Sequence, residues 1–298
     1  MTQADPVDAM RVAVLGPGGV GGLLAVLLAR QGHAVTCLAR GETAAYIDRH
    51  GLRLSSDRYG ELTAAASGSD QLADGVDVCL VTTKATQLDE ALERVPADVL
   101  GNAVLVPLLN GIEHMEVLRR RFPAARTVAG AIRVVASRPA RGAIRHEGQL
   151  AAVQLGPGAE ELAAALEHAG LDVTTRSDEA GLLWDKLCFL APVALLTTQA
   201  MTPLGPVRVQ RGDDLAAVVR EVAAVARADG ADGDAEATLA FMRSVPAGMR
   251  SSMQRDAEDG NPTELEAIGG AVLRAAARHG VAVPVTERIV TELRGRLG

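Results

Sequence analysis

Four glycines near the N-terminus have the spacing of a phosphate-binding turn. The motif reads Gly16, Pro17, Gly18, Gly19, Val20 and Gly21. It follows the apolar stretch 12–15 and opens a helical pattern over residues 20–31. In a strand-turn-helix unit the first glycine permits the tight turn, the second lets the backbone approach a pyrophosphate, and the last allows close helix packing. This context predicts a dinucleotide site that includes Gly16, Gly18, Gly19, Val20 and Gly21, the alternative being an ordinary turn.

The second predicted strand, residues 34–39, is followed by a cation. In many dinucleotide-binding folds an Asp or Glu at this place accepts hydrogen bonds from a ribose 2′-hydroxyl. Here the residue is Arg40, and a guanidinium suits a 2′-phosphate. We therefore expect NADPH as the cofactor. The alternative is a solvated arginine at the end of a strand.

Alternating strand and helix patterns must position these residues. Further buried strands are predicted at 76–81 and 104–109, antiparallel strands at 131–155, a helix at 160–168 and a strand near Val173. Beyond them the pattern is helical, with helices predicted at 180–200, 213–228, 235–256, 262–279 and 286–297. The predicted fold class is α/β. Residues 1–177 should form a Rossmann-like, NADPH-binding domain with a parallel sheet. Residues 178–298 should form an all-helical domain that carries the substrate contacts and any homodimer interface.

Composition and charge exclude several classes of partner. The formal net charge is -7, and no long run of Lys or Arg occurs, so we expect no nucleic acid. Cys37, Cys79 and Cys188 each lie in an apolar run, which predicts reduced core residues in a cytoplasmic protein. Residues 1–10 lack the features of a secretory signal and should form a disordered tail. The longest apolar run, 188–196, is too short for a bilayer, and no metal-ligand spacing is visible; membrane and metal are not expected.

Several separate segments resemble the ketopantoate reductase (2-dehydropantoate 2-reductase) family. They are the glycine turn with Arg40, residues 81–87 (VTTKATQ), 109–111 (LNG), 183–187 (LWDKL), 251–253 (SSM) and 262–264 (PTE). Their order and spacing are similar to the family's over nearly the whole chain. The resemblance implies that NADPH and a 2-keto acid meet in a cleft between a Rossmann domain and a helical domain. It also implies hydride delivery to the keto carbon.

The resemblance assigns roles to individual residues. Lys186 matches the catalytic lysine, which hydrogen-bonds the ketone and protonates the developing alkoxide. Glu264 matches the carboxylate that orients this lysine, and Ser252 a contact to the substrate carboxylate. Asn110 and Lys84 match residues that line the nicotinamide and substrate side. These roles are chemically reasonable, since an ammonium group can stabilise the oxyanion and supply its proton.

Two of these residues also fit structural roles. Asn261, Pro262 and Glu264 have the types favoured at N-cap, N1 and N3 of a helix, so Glu264 could be a capping residue. Ser252 and Asp256 stand four residues apart and could form a solvated polar face.

The remaining assignments have alternatives as well. Lys186 could be a surface lysine beside Trp184, and Asn110 with Gly111 could be a turn after a strand. His114 offers a second candidate for a general acid.

The sequence departs from the family's pattern at the substrate side. Pantothenate-pathway members usually carry asparagines four and eight residues after the lysine, and another before the paired serines. Here those positions are Leu190, Ala194 and Met249, and Pro192 should bend the same helix. We therefore expect Leu190 and Ala194 to contact a 2-keto acid with a more apolar side chain than ketopantoate. Two other functions remain open: a non-catalytic NADPH-binding sensor or assembly protein, and a hydroxy-acid dehydrogenase working in the oxidative direction.

Overall fold

The computed structural model describes residues 9–297, and the chain divides into two compact units. The first takes in the chain up to Leu109 and His114–Ser177, and the second Asn110–Glu113 and the chain from Asp178 onward. Residues 1–8 of the expected tail lie outside the described residues. At its end the expectation was wrong: Met10 is 4% exposed, and its amide donates to His33 Nδ1 at 3.1 Å.

The first unit contains all the strands of the described chain. They are β1 Arg11–Leu15, β2 Ala34–Leu38, β3 Leu52–Ser56, β4 Gly60–Ala64, β5 Ser67–Ser69, β6 Val78–Val81, β7 Val104–Pro107, β8 Arg126–Thr127, β9 Gly130–Ala140, β10 Ala143–Leu155 and β11 Asp172–Thr175. Six of them form a sheet in the order β5-β2-β1-β6-β7-β8, and every pairing in it is parallel. The predicted Rossmann-type sheet is confirmed.

Helices flank the strands of this unit. They are α1 Gly19–Arg30, α2 Gly41–His50, α3 Leu88–Leu92, α4 Ala97–Leu100, α5 His114–Arg121 and α6 Glu160–His168. Strand β6 is buried at all four positions, as expected for a parallel strand covered on both faces. The first helix packs against strands of both sheets of the unit, and Gly21 to Leu28 are all buried.

A second, five-stranded sheet completes the first unit. Strands β9 and β10 pair antiparallel, as predicted for residues 131–155. Strand β10 also pairs parallel with β3 and with β11, and β3 pairs antiparallel with β4. Strands β3 and β4 were not predicted: β3 pairs with β10, about 90 residues further along the chain, and β4 enters the sheet only through β3.

The second unit is helical, as predicted. Its helices are α7 Glu179–Ala200, α8 Leu204–Gln210, α9 Gly212–Ala228, α10 Ala235–Ser244, α11 Ser252–Glu258, α12 Ala271–His279 and α13 Pro284–Leu297, and the π-helical segment Glu266–Gly270 leads into α12. Helix α7 is long and apolar enough to cross a membrane, but 72% of its apolar window is buried inside the protein. It packs against α9, α11 and α13, which is the position of a core helix.

Two helix predictions were wrong. The single helix expected over 235–256 is interrupted between α10 and α11, where Val245 takes an extended conformation. The cause is Pro246, because the residue before a proline is disfavoured in the α region. The helix expected to begin at Pro262 begins only at Leu265. Helix α8 was not predicted.

The three cysteines are core residues, as predicted. Cys37, Cys79 and Cys188 are buried and form no disulfide. Burial raises the pKa of each thiol to about 12, so the reactive thiolate form is suppressed.

Candidate active site

The glycine turn of the first unit is held by the segment that follows β6. Gly16 has φ +85°, and a Cβ on it would lie 2.6 Å from Thr83 Cγ2. A Cβ on Gly21 would lie 2.2 Å from Thr82 Oγ1. The same hydroxyl donates to the carbonyl oxygen of Gly16 at 2.9 Å. Both glycines are therefore required by conformation or packing. Thr82 fixes the turn, a role that was not predicted from the sequence.

Gly18 differs from its neighbours. The nearest protein atom to a Cβ on Gly18 would be the carbonyl oxygen of Gly16, at 3.9 Å. Helix α1 begins at the next residue, with no side-chain cap and no acidic residue in its first turn. The first-turn N–H groups, which include Gly19, Val20 and Gly21, have no acceptor within a helix. Open space beside an uncapped helix N-terminus fits a phosphate group, so the turn fits the pyrophosphate of a dinucleotide.

Arg40 follows β2 and is the N-cap residue of α2. The carbonyl oxygen of Leu38 in β2 accepts from the Gly16 amide at 3.1 Å, so this strand end adjoins the glycine turn. The Arg40 side chain is 61% exposed and forms an ion pair with Glu90. An anion that binds Arg40 must therefore compete with this carboxylate.

Lys84 follows β6, the neighbour of β1 on the other side from β2. It is exposed and precedes the short 3₁₀ turn Ala85–Gln87. The carboxyl ends of adjacent parallel strands lie at one edge of a sheet, where open α/β sheets bind ligands. The structure thus places Arg40 and Lys84 on either side of the glycine turn.

In the second unit, Asn110 and Glu264 are in direct contact. Asn110 Nδ2 donates to Glu264 Oε2 at 2.8 Å, and Glu264 is only 5% exposed. The carbonyl oxygen of Glu264 accepts from the Ile268 amide at 3.0 Å, so Glu264 is anchored just before the π-helical segment Glu266–Gly270. The predicted N3 position of Glu264 in a helix that begins at Pro262 was wrong, because the helix begins at Leu265 and Glu264 directly precedes it. Segments of π-helix are rare and occur often at functional sites.

The short segment Asn110–Glu113 is fixed against this part of the unit. Gly111 has φ +88°, and a Cβ on it would lie 2.5 Å from the carbonyl oxygen of Ala267. Two hydrogen bonds join Arg274 to the Glu113 carboxylate, at 2.8 and 2.7 Å. These contacts hold Asn110 where it can donate to Glu264. The Glu113–Arg274 pair was not predicted, because no local pattern in the sequence indicates it.

Lys186 lies on an open stripe of helix α7. Between residues 181 and 198 almost every residue of this helix is buried. The exceptions are Asp185, Lys186, Phe189 and Leu190. Helix α7 packs against α11 and against the π-helical segment. Leu190 shares the stripe with Lys186, whereas Ala194 is 0% exposed, in the helical core.

Ser252 is the first residue of α11 and is exposed. Its neighbour Ser251 is the N-cap, and the Ser251 hydroxyl accepts from the Gln254 amide at 3.0 Å. The same hydroxyl is hydrogen-bonded to Thr197 of α7 at 2.8 Å. Ser251 therefore joins α11 to α7, while Ser252 faces outward. Met249 is half-buried against the helical core.

Two further predictions concern histidine and metal. His114 begins α5 and is 5% exposed. Residues 109–113, which precede it, form bends and a turn and are not helical. Over residues 9–297, no group of three or more His, Cys, Asp or Glu side chains is arranged to hold a metal ion.

Comparison with known proteins covers both units. The family described as Ketopantoate reductase PanE/ApbA matches residues 12–160, and Ketopantoate reductase PanE/ApbA C terminal matches residues 180–296. The 2-dehydropantoate 2-reductase of Caulobacter vibrioides is 31% identical over 95% of this chain and 97% of its own.

Solved structures show the same fold. The crystal structure of 2-dehydropantoate 2-reductase from Methylococcus capsulatus has a TM-score of 0.86 and 26% identity, and covers 96% of each chain. D-Mandelate dehydrogenase with NADH and anilino(oxo)acetate is similar in fold, with a TM-score of 0.85 and 23% identity over 97% of this chain and 98% of its own.

The two family matches together cover most of the described chain. The protein is an oxidoreductase that acts on the CH–OH/C=O couple with a nicotinamide cofactor. Its fold, its sequence and its nearly full-length relatives agree that the chain belongs to the ketopantoate reductase family.

Proposed function

We propose that the protein reduces a 2-keto acid to the 2-hydroxy acid with NADPH, and that Lys186 is the general acid. The observation that carries this proposal is the buried Glu264 carboxylate, held by Asn110 in the helical unit. A buried carboxylate is costly unless a cation or several donors face it. Asn110 supplies one neutral donor, and the family's lysine, Lys186, is the proposed cation.

The cofactor would be held by the first unit. The bound reduced nicotinamide supplies a hydride to the carbonyl carbon. The amides at the start of α1 bind the pyrophosphate beside Gly18, and Arg40 binds the 2′-phosphate. Giving up the exposed ion pair with Glu90 costs Arg40 little, because such pairs are worth about 0–1 kcal/mol. Lys84 is proposed to contact the nicotinamide side of the cofactor.

The second unit would supply the proton. As the carbonyl carbon is reduced, negative charge grows on its oxygen, and the Lys186 ammonium donates a proton from Nζ to that oxygen. Glu264 orients the ammonium through its charge, and Asn110 fixes the carboxylate by donating to Oε2. The exposed Ser252 hydroxyl donates to the substrate carboxylate. Hydride on carbon and proton on oxygen together give the alcohol.

A substrate panel tests this proposal. Purified protein is incubated with NADPH or NADH and a series of 2-keto acids, cofactor oxidation is followed by absorbance, and the product is identified by chromatography. We expect a 2-hydroxy acid, with a higher kcat/KM for NADPH than for NADH. Tight NADPH binding without turnover of any substrate would contradict the proposal and favour the sensor. Turnover only of hydroxy acids with NADP would favour a dehydrogenase.

A further inference from the structure

An apolar surface adjoins Lys186 on helix α7. Phe189 and Leu190 stand three and four residues after the lysine and are half-buried. Residues 187 and 188 and residues 191–198 are buried. Residues at these spacings lie on one helix face, with Cβ atoms about 5–6 Å apart. The non-buried residues of this stretch are therefore two charged side chains, Asp185 and Lys186, followed by two large apolar side chains.

A second helix extends this surface. The rings of Phe189 and of Phe241 in α10 meet edge to face, with centroids 5.3 Å apart and an interplanar angle of 63°. Phe241 is 57% exposed. The chain has only three phenylalanines, and two of them meet here. We call Phe189, Leu190 and Phe241 the apolar wall. Partly exposed aromatic and aliphatic side chains grouped in this way are typical of a surface that buries an apolar ligand group.

We propose that the apolar wall binds the side chain of the 2-keto acid and selects branched aliphatic or aromatic substrates. This inference rests on the proposed function. Only if Lys186 holds the carbonyl oxygen of the 2-keto acid does the substrate's side chain lie beside the wall. An apolar side chain gains free energy as the wall and the ligand leave water. A hydroxyl-bearing side chain such as that of ketopantoate would lose its hydrogen bonds to water against Leu190. Phe189, Leu190 and Phe241 are thus specificity-determining residues.

The test compares substrates and matched variants. The ratio of kcat/KM for phenylpyruvate or 4-methyl-2-oxopentanoate to that for pyruvate is measured with NADPH in the wild type, in Phe241→Ala and in Leu190→Asn. Val209→Ala is the control, since Val209 in α8 is apolar and 85% exposed but lies outside the wall. Circular dichroism and size-exclusion chromatography check the fold and the oligomeric state of each variant.

We expect the wild type to prefer the larger substrates, and Phe241→Ala to lower the ratio by about tenfold, the effect of removing a large apolar contact. Leu190→Asn should lower the ratio and improve ketopantoate reduction, while Val209→Ala leaves the ratio unchanged. A wild type that prefers ketopantoate or pyruvate overturns the inference but leaves the proposed function intact. An unchanged ratio in Phe241→Ala also overturns the inference and leaves the proposed function intact. If that variant keeps the ratio but alters the oligomeric state, the wall is a subunit interface and not a substrate site. If the wild type reduces no 2-keto acid, the proposed function fails and the inference fails with it.

Discussion

Replacing Arg40 with alanine is expected to weaken NADPH binding and to leave NADH binding unchanged. The two cofactors differ only in the 2′-phosphate, and Arg40 follows β2 at the edge of the sheet that carries the glycine turn. We expect a guanidinium there to contribute to binding through this phosphate. The pair of cofactors therefore isolates the contribution of Arg40.

The size of the effect follows from the surroundings of Arg40. A hydrogen bond to a charged group is worth about 1.5–3 kcal/mol. The side chain is 61% exposed, and in the free protein it is paired with Glu90, a pair worth about 0–1 kcal/mol at such exposure. The remainder, about 0.5–3 kcal/mol, corresponds to a rise of roughly 2- to 150-fold in the NADPH Kd.

The Glu90 carboxylate provides a matched variant. Glu90→Gln removes the competing charge and should tighten NADPH binding by up to about fivefold, the whole value of an exposed ion pair. In the double variant Arg40→Ala/Glu90→Gln this gain should vanish, because it acts through Arg40. Both cofactors are titrated by fluorescence at low ionic strength, where exposed charges are least screened.

Two outcomes would refute this reasoning. If Arg40→Ala weakens NADH as much as NADPH, Arg40 supports the turn and does not bind the 2′-phosphate. If Arg40→Ala leaves the Kd and KM of NADPH unchanged, Arg40 does not contact the cofactor.

Three further predictions concern glycine and charge. Gly18→Ala should leave thermal stability intact, because no protein atom lies closer than 3.9 Å to the added Cβ, but should weaken dinucleotide binding in a titration. Gly111→Ala should destabilise the protein by roughly 1–3 kcal/mol in denaturant unfolding, since φ is +88° and a backbone carbonyl oxygen lies 2.5 Å away; it should also lower kcat by moving Asn110. Arg294 holds the pKa of the Glu266 carboxyl below its usual range. This carboxylate therefore stabilises the fold above its ordinary pKa near 4.3, and the stabilisation is lost as the pH falls through the lowered value. Glu266→Gln should flatten this part of the dependence of Tm on pH.

Each of these predictions has an outcome that contradicts it. A loss of stability in Gly18→Ala would show that packing requires this glycine. An unchanged kcat in Gly111→Ala would show that the position of the segment Asn110–Glu113 does not affect catalysis. An acid dependence of Tm that is the same in Glu266→Gln and the wild type would assign it to other carboxylates.

Local patterns in the sequence were enough for the parallel sheet and for the glycine turn. The turn was predicted because its glycines stand directly between an apolar strand and a helix. Strand β3 was not predicted, since its pairing with β10 depends on residues distant in the chain, and β4 joins the same sheet only through β3. The break before α11 did have a local signal, Pro246, which the helical periodicity on either side outweighed.

The residues of the second unit could be named from the family resemblance, but their contacts could not. The hydrogen bond from Asn110 to Glu264 joins residues 154 positions apart. The Arg274–Glu113 pair spans 161 positions, and neither residue has a distinctive neighbourhood in the sequence. Leu190 and Ala194 were both expected to contact the substrate because of their spacing from Lys186 in the sequence. Burial separates them, since Leu190 lies on the open stripe and Ala194 is in the core.

Lys186→Ala, assayed for both NADPH binding and keto-acid reduction, tests most directly whether Lys186 is the general acid of a reductase. The variant should bind NADPH with an unchanged Kd, because the glycine turn and Arg40 lie in the other unit. Its kcat should fall by about 10²–10⁴-fold, the usual contribution of a positioned proton donor. A variant that still reduces the best 2-keto acid at the wild-type rate would contradict the proposed role of Lys186.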